Sequence, residues 1–426
     1  MNNINSLIPV RINKMPFSIL KGLIVAICLA FLLAGCKNGG LDTDRDQNIE
    51  GKQINVVILL GVFEGAPKPA LPTEVKQLIF DALSTNGNIG VIVVDGEPSI
   101  AGVSNEDGDT FVLNGSFGSN ANYPARRDRD NSQTISSLID IIENKLIAEN
   151  PEVYLAKALA LADRELRSIQ PVDSDTTETM KYLILLTPYI STKGVIDWTQ
   201  GGMFGVDPDE YANALFETGE LPIFEEGVQA KWYFATDVEG DNDKPSTAQS
   251  KHIVSVYSAI LKEVNLDCAF PADIPGSGAI EGAPPVTRID IPEPEYIELD
   301  IESMIAITID SSLIHFLGDK AEYIDDGGEA AAVLEPIAEK MKANPGMKLL
   351  ITGMTATGDK DFIQWLSQAR ADRVMKSLEE LGIDPSRMKA VGVGADDPSH
   401  IADTDENGKL IPNLAAQNRA VRLESF

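Results

Sequence analysis

Between residues 53 and 265, apolar and polar positions alternate between two periods. Ile54–Leu60 (INVVILL) and Ile89–Asp95 (IGVIVVD) are short, almost wholly apolar and rich in β-branched residues. Such runs suit strands covered on both faces. Tyr182–Leu186 and Val228–Ala235 read as further strands. Thr73–Leu83, Thr134–Ala148, Val153–Ile169, Pro208–Phe216 and Ala248–Val264 carry the helical period between them. Strand–helix alternation predicts an α/β fold with an open, mostly parallel sheet. The polar insertion at 104–132 predicts surface loops.

From residue 301 the pattern becomes α+β. Ile305–Ile309, Lys348–Thr352, Arg387–Val393 and Arg419–Leu423 read as strands, with a helix over Gly328–Ala343. A longer helix, Asp361–Leu381, places Leu366, Val374, Leu378 and Leu381 on one face and stops at Gly382 and Pro385. Arg370 falls at the edge of that apolar face, where ligand contact and a structural, snorkelling arginine are both open readings.

Two stretches carry neither period. Residues 37–52 are polar and Gly-rich, as a flexible tether would be, and 269–300 crowd Pro and Gly as an interdomain linker would. The expected division is therefore 1–35, a tether at 36–52, an α/β domain at 53–268, a linker at 269–300 and an α+β domain at 301–426.

The first 35 residues differ from the rest. Arg11, Lys14 and Lys21 form a basic region, and an apolar run from Leu23 to Leu33 follows. A spanning helix needs about 20 apolar residues, so this run reads as an export signal rather than a membrane span. The quartet Leu33-Ala34-Gly35-Cys36 resembles the lipobox of bacterial lipoproteins. The resemblance implies cleavage before Cys36 and attachment of lipid, palmitate among it, to that cysteine. Each buried methylene of such a chain contributes about 0.8 kcal/mol to membrane binding.

Charge and cysteine usage narrow the function classes. The formal net charge is −30, which disfavours nucleic acid and anionic lipid headgroups as partners. Of three cysteines, Cys28 leaves with the signal and Cys36 is the lipid site, so Cys268 alone would remain, as a buried or half-buried thiol. His252, His315 and His400 lack metal-ligand spacing, and no Gly-x-Ser-x-Gly elbow occurs. Asp403–Gly408 copies half of an EF-hand loop, but Leu414 stands at position twelve, so a polar turn is the better reading. These readings propose no catalytic residue, no metal and no cofactor.

The α/β region is similar to von Willebrand factor A-like domains in its order of first strand, IGVIVVD, paired helices and KYLILLTP. That family grips a divalent metal through Asp-x-Ser-x-Ser after the first strand. Here the exit reads Leu60-Gly61-Val62-Phe63-Glu64, and Thr187 is followed by Pro188. The resemblance therefore implies the fold without the metal motif, leaving the domain as an interaction module.

Leu366-Ser367-Gln368-Ala369-Arg370-Ala371, followed by Val374 and Leu378, fits the OmpA-like pattern L-S-x-x-R-A-x-x-V-x-x-x-L. Phe316, Ala321, Gly353, Thr355, Gly382-Ile383-Asp384, Gly392-Val393-Gly394, Pro398 and Asn418-Arg419 fall where that family places them. The region thus resembles the OmpA-like peptidoglycan-binding module. In that family an Asp after the Gly-x-Thr turn and the motif arginine hold the diaminopimelate of the peptidoglycan stem peptide. A guanidinium suits its carboxylate and a carboxylate its ammonium. Arg370 lands on the arginine position, but Ala356 stands at the Asp position. The resemblance implies a binding set of Arg370, Thr355 and Arg419, with Asp359 or Asp361 supplying the absent carboxylate.

The expected protein is a non-enzymatic lipoprotein at the extracytoplasmic face of the cell membrane or outer membrane. It would bind peptidoglycan and, through its α/β domain, an envelope protein. The alternative is a scaffold or sensor lipoprotein whose OmpA-like domain has lost the wall and binds protein or another ligand.

Overall fold

A computed structural model describes residues 51–85, 87–104, 110–112, 135–169, 178–233, 245–271, 278–292, 306–324 and 327–426. The signal, Cys36 and the tether as far as residue 50 lie outside the described residues, as does most of the 104–132 insertion. The chain divides into Met1–Gly51 and one compact unit, Lys52–Phe426, which contains both predicted domains. Among the described residues no helix is long and apolar enough to cross a membrane.

The first sheet has six strands: β1 (Lys52–Leu60), β2 (Ile89–Val93), β3 (Ser99–Ile100), β6 (Glu178–Leu186), β7 (Gln229–Trp232) and β8 (Cys268–Ala269), in the order β3-β2-β1-β6-β7-β8. Every pairing is parallel except β2–β3, at the edge. After Lys52 every residue of β1 is buried, as the apolar run Val56–Leu60 in the middle of a two-faced sheet should be, and the buried Asn55 is hydrogen-bonded to Gln53 O, Met180 O and Asn88 N. Two further short strands, β4 (Gly102–Ser104) and β5 (Thr110–Val112), pair with each other within the insertion.

Helices α1 (Thr73–Ser84) and α3 (Leu155–Ser168) pack on β1 and β2. Helix α2 covers residues 135–144. Helices α4 (Pro208–Glu217) and α5 (Thr247–Glu263) pack on each other. Ser246 and Gln249 form a capping box at the start of α5. At the core, the Tyr257 hydroxyl donates to Tyr189 O at 2.5 Å and accepts from Trp198 Nε1 at 2.8 Å. Asp95, just past β2, is buried and accepts hydrogen bonds from Glu97 N, Glu149 N and Asn150 N. This strand-end carboxylate therefore fastens loops.

Part of the Pro- and Gly-rich stretch packs against the α/β domain. Over 278–292 it runs beside the exit of β1, with Ile280 N donating to Ala66 O at 2.8 Å and Gly65 N to Ile280 O at 3.0 Å. Glu152 takes hydrogen bonds from the Thr287 backbone and hydroxyl, and Gln249 donates to Pro292 O. Ile280, Ile289 and Ile291 are buried.

The second sheet is mixed and has the order β11-β10-β12-β9. Its strands are β9 (Ala306–Asp310), β10 (Leu349–Met354), β11 (Met388–Gly394) and β12 (Ala420–Ser425). Helices α6 (Gly328–Ala343) and α7 (Lys360–Glu380) complete its core, in which Leu334, Met341, Leu349, Ile351, Val374, Leu378 and Leu423 are buried. A short helix, α8 (Pro412–Asn418), precedes β12.

The two domains meet at a 3₁₀ turn, Met203–Gly205, just before α4. The Ser311 hydroxyl lies 3.0 Å from Gly205 O and 2.8 Å from Ala416 O. His315 Nε2 pairs with Phe204 O at 2.9 Å, and the His252 and His315 rings lie tilted by 33° with centroids 4.8 Å apart.

Candidate functional site

After β10 the chain turns through Thr355–Gly358 and enters α7. Thr355 N donates to Gly394 O at 3.0 Å, and Thr357 N to the Asp403 carboxylate at 3.0 Å. Asp403 also accepts from Asn418 Nδ2 at 2.8 Å, tying the turn to the end of α8. Burial would raise the Asp403 carboxyl, but hydrogen bonds from Thr357 and Asn418 prevail and hold it below its ordinary range. Asp405 closes the next turn by accepting from Asn407 N and Lys409 N. The carboxylates at 403 and 405 thus serve backbone groups.

Two small residues seat α7 on the sheet. Gly353 and Gly392 are cross-strand partners in the parallel β10–β11 pair. A Cβ added at Gly353 would stand 2.0 Å from Ser367 O, and one at Gly392 would stand 2.2 Å from Gln368 N. Ser367 Oγ accepts from Gly394 N at 2.9 Å. Gln368 accepts from Gly392 N at 2.8 Å, and Gln364 donates to Gly392 O at 2.6 Å. The Leu-Ser-Gln stretch therefore stitches the helix to β11, while Ala371 packs within reach of Gly353. This seating aims the next turn of α7, and so Arg370, at a cavity.

That cavity has a volume of about 720 Å³ and is walled by both domains. The C-terminal domain supplies Phe316, Thr355, Ala356, Arg370 and Arg419, and the α/β domain supplies Asp207, Glu210, Lys251 and His252. Arg370 is buried; its Nε donates to Lys320 O at 3.1 Å and its guanidinium lies 5.0 Å from the Phe316 ring centroid. Burial, with the like charge of Arg419, lowers its pKa to about 10 against the pull of Asp319 and Asp207. It remains protonated at neutral pH. Among the described residues no carboxylate lies within ion-pair distance of Arg370.

Arg419 does have a carboxylate partner, and it comes from the other domain: Nη2 lies 2.5 Å from Glu210 Oε2. Glu210 belongs to the first turn of α4, where its N–H donates to the capping Asp207 at 3.0 Å. Four residues that line the cavity each keep a buried polar atom without a hydrogen bond: Thr355 Oγ1, Glu210 Oε1, Arg419 Nη1 and His252 Nε2. Burial drives His252 down to about 3, with His315 adding to the effect against a hydrogen bond to the Met203 backbone, so its imidazole is neutral.

Three of the five residues expected to bind, Arg370, Thr355 and Arg419, line this cavity. Asp359 and Asp361 do not. Asp359 caps α7 by accepting from Phe362 N at 3.0 Å, and Asp361 is exposed in the first turn. The missing carboxylate at Ala356 is thus not replaced by either of them in this arrangement.

Residues 327–409 match the model of the OmpA family. This segment is an OmpA-family domain. The chain is 25% identical to the peptidoglycan-associated lipoprotein from Burkholderia pseudomallei over 32% of its length and all of that chain, with a TM-score of 0.23. It is 21% identical to the cell wall anchor of the T6SS from Pseudomonas aeruginosa over 29% of its length and 86% of that chain, with a TM-score of 0.23. It is 20% identical to the OmpA-like domain of FopA1 from Francisella tularensis subsp. tularensis SCHU S4 over 29% of its length and 71% of that chain, with a TM-score of 0.22. No curated protein matches. The assignment of the OmpA-family domain rests on the family match.

Sequence reasoning missed the α/β-domain wall of the cavity. Glu210 looks like an ordinary acidic residue in the first turn of a helix, a favourable place for negative charge. Nothing local links it to an arginine more than 200 positions later.

Proposed function

We propose that this chain is an envelope lipoprotein that binds peptidoglycan non-covalently through its OmpA-family domain. The observation that carries the reading is Arg370: a buried guanidinium without a carboxylate partner among the described residues, on a cavity it shares with Arg419 and Thr355. A protonated arginine so placed is suited to a ligand carboxylate, such as that of a diaminopimelate stem peptide. Thr355 and Arg419 complete the proposed binding set, and Asp359 and Asp361 remain outer candidates only if the turn rearranges. The test is retention on purified peptidoglycan sacculi, wild type against Arg370→Ala. Arg370→Ala should be lost from the pellet; equal retention, or none by either, refutes the reading.

Cys36 is the proposed lipid anchor, placing the protein on the extracytoplasmic face of the cell membrane or outer membrane. Incorporation of an alkyne-tagged palmitate should disappear in Cys36→Ser. The α/β domain is proposed as a von Willebrand A-like interaction module for an envelope protein; the strand order β3-β2-β1-β6-β7-β8 supports it. No catalytic role is proposed.

A second reading is favoured by Ala356: a scaffold or sensor whose OmpA-family domain has left the wall for protein or another ligand. Under it the wild type would not pellet with sacculi, and Ala356→Asp would confer retention.

A further inference from the structure

We propose that the cavity is a two-domain receptor for a zwitterionic amino-acid terminus, with Glu210 of the α/β domain holding the ammonium while Arg370 and Arg419 hold the carboxylate. This rests on the peptidoglycan-binding reading and adds to it a residue outside the OmpA-family domain.

The argument begins with the unpaired groups. Glu210 spends one carboxylate oxygen on Arg419 and keeps Oε1, a buried acceptor with no partner. Arg419 spends Nη2 and keeps Nη1, a buried donor with no partner. Thr355, itself 2% exposed, lines the same cavity, and its buried Oγ1 also lacks a partner. An unmatched buried polar atom costs about 1–3 kcal/mol, more when charged, so a cluster of them marks a place where a ligand supplies the missing partners.

The signs of the groups select the ligand. A simple anion would satisfy Arg370, Arg419 and Thr355 but leave Glu210 Oε1 unmatched beside new negative charge. A simple cation would satisfy Glu210 and leave the arginines facing like charge. A molecule bearing ammonium and carboxylate on one carbon serves both sets, with three N–H donors for the acidic side and two oxygens for the basic side. Asp207 lines the same wall as Glu210 and adds to its negative field. The turn of the OmpA-family domain, with Ala356 on the cavity wall, contributes no carboxylate of its own.

Titration calorimetry on the full chain with meso-diaminopimelate and with pimelate, which lacks the amines, tests this. Wild type should prefer diaminopimelate, and Glu210→Gln should lose that preference with affinity falling roughly 10- to 100-fold. Glu210→Gln combined with Ala356→Asp should regain it by placing a carboxylate on the opposite wall. N,N′-Diacetyl-diaminopimelate, in which neither amine can form an ammonium and which needs no variant, should bind wild type as weakly as pimelate does. A wild type that takes pimelate equally well, or a Glu210→Gln that keeps its preference or binds more tightly, overturns the inference. Should Glu210→Gln behave as wild type while Arg370→Ala loses binding, only the role of Glu210 falls. Should Arg370→Ala also bind as wild type, the peptidoglycan reading falls with it.

Discussion

Gly353→Ala gives a direct test of how α7 is seated. The new methyl carbon would stand 2.0 Å from Ser367 O and 2.9 Å from Ser367 C, where ordinary contact begins at 3.4 Å. Both atoms are helix backbone, so no rotamer change relieves the clash, and α7 must lift by roughly 1.4 Å. Lifting it weakens the Ser367–Gly394 and Gln368–Gly392 hydrogen bonds together. Overpacking of this kind costs about 1–3 kcal/mol, and the shared hydrogen bonds put the expected loss near the upper end. Urea unfolding followed by circular dichroism should show a midpoint lower by about 1–3 M, given a slope of roughly 1–3 kcal/mol per molar. Gly346→Ala is the matched control: its Cβ meets nothing within 4 Å, and its stability should stay within about 0.5 kcal/mol of wild type. Because Gly392 lies beside Gly353 under the same helix turn, Gly353→Ala and Gly392→Ala together should cost less than the sum of the single changes. A Gly353→Ala protein as stable as wild type would refute the seating.

Other expectations follow from buried polar groups. Burial would raise the Asp397 carboxyl, yet hydrogen bonds from Arg422 and Ser399 hold it at about 2 against an ordinary 3.8. A carboxyl depressed on folding stabilises above its unfolded pKa, so a contribution on the order of 2 kcal/mol should fade as pH falls from about 4 to about 2; Asp397→Asn should flatten that stretch of an acid titration. Tyr257→Phe removes the hydroxyl that serves Tyr189 O and Trp198 Nε1, and a loss of about 1–3 kcal/mol should appear in urea unfolding. Burial pushes the Cys268 thiol up to about 12, so at pH 8 about one molecule in 10⁴ carries the thiolate. Iodoacetamide labelling of Cys268, located by mass spectrometry, should be slow until denaturant is added.

What could be read in the sequence tracks how local each determinant is. β1 and β2 were legible because their apolar runs carry the two-sided burial they have in the sheet. The Leu-Ser-Gln-Ala-Arg-Ala stretch was legible as a contiguous motif, and its Ser367, Gln368 and Ala371 meet Gly394, Gly392 and Gly353 on the strands beneath the helix. β3, only two residues long and antiparallel, has no period to read, and α8 is seven residues that depend on the domain contact. Asp359 had the chemistry of a ligand, but its place before α7 also suits an N-cap, and in the structure it caps the helix. Arg419 was singled out, but its partner Glu210 was not, because only tertiary folding brings α4 beside β12.

The stretch at 278–292 decides where this protein can be divided. Its composition suggests a cut near 269, yet Ile280, Ile289 and Ile291 complete the α/β core, and Glu152 and Gln249 bind its backbone. A fragment ending at 269 would uncover apolar surface, and its complement would carry the displaced isoleucines as a greasy tail. A protease acting on the native protein should spare this stretch despite its loop-like sequence, because the enzyme needs an extended, unpaired backbone that the domain already holds.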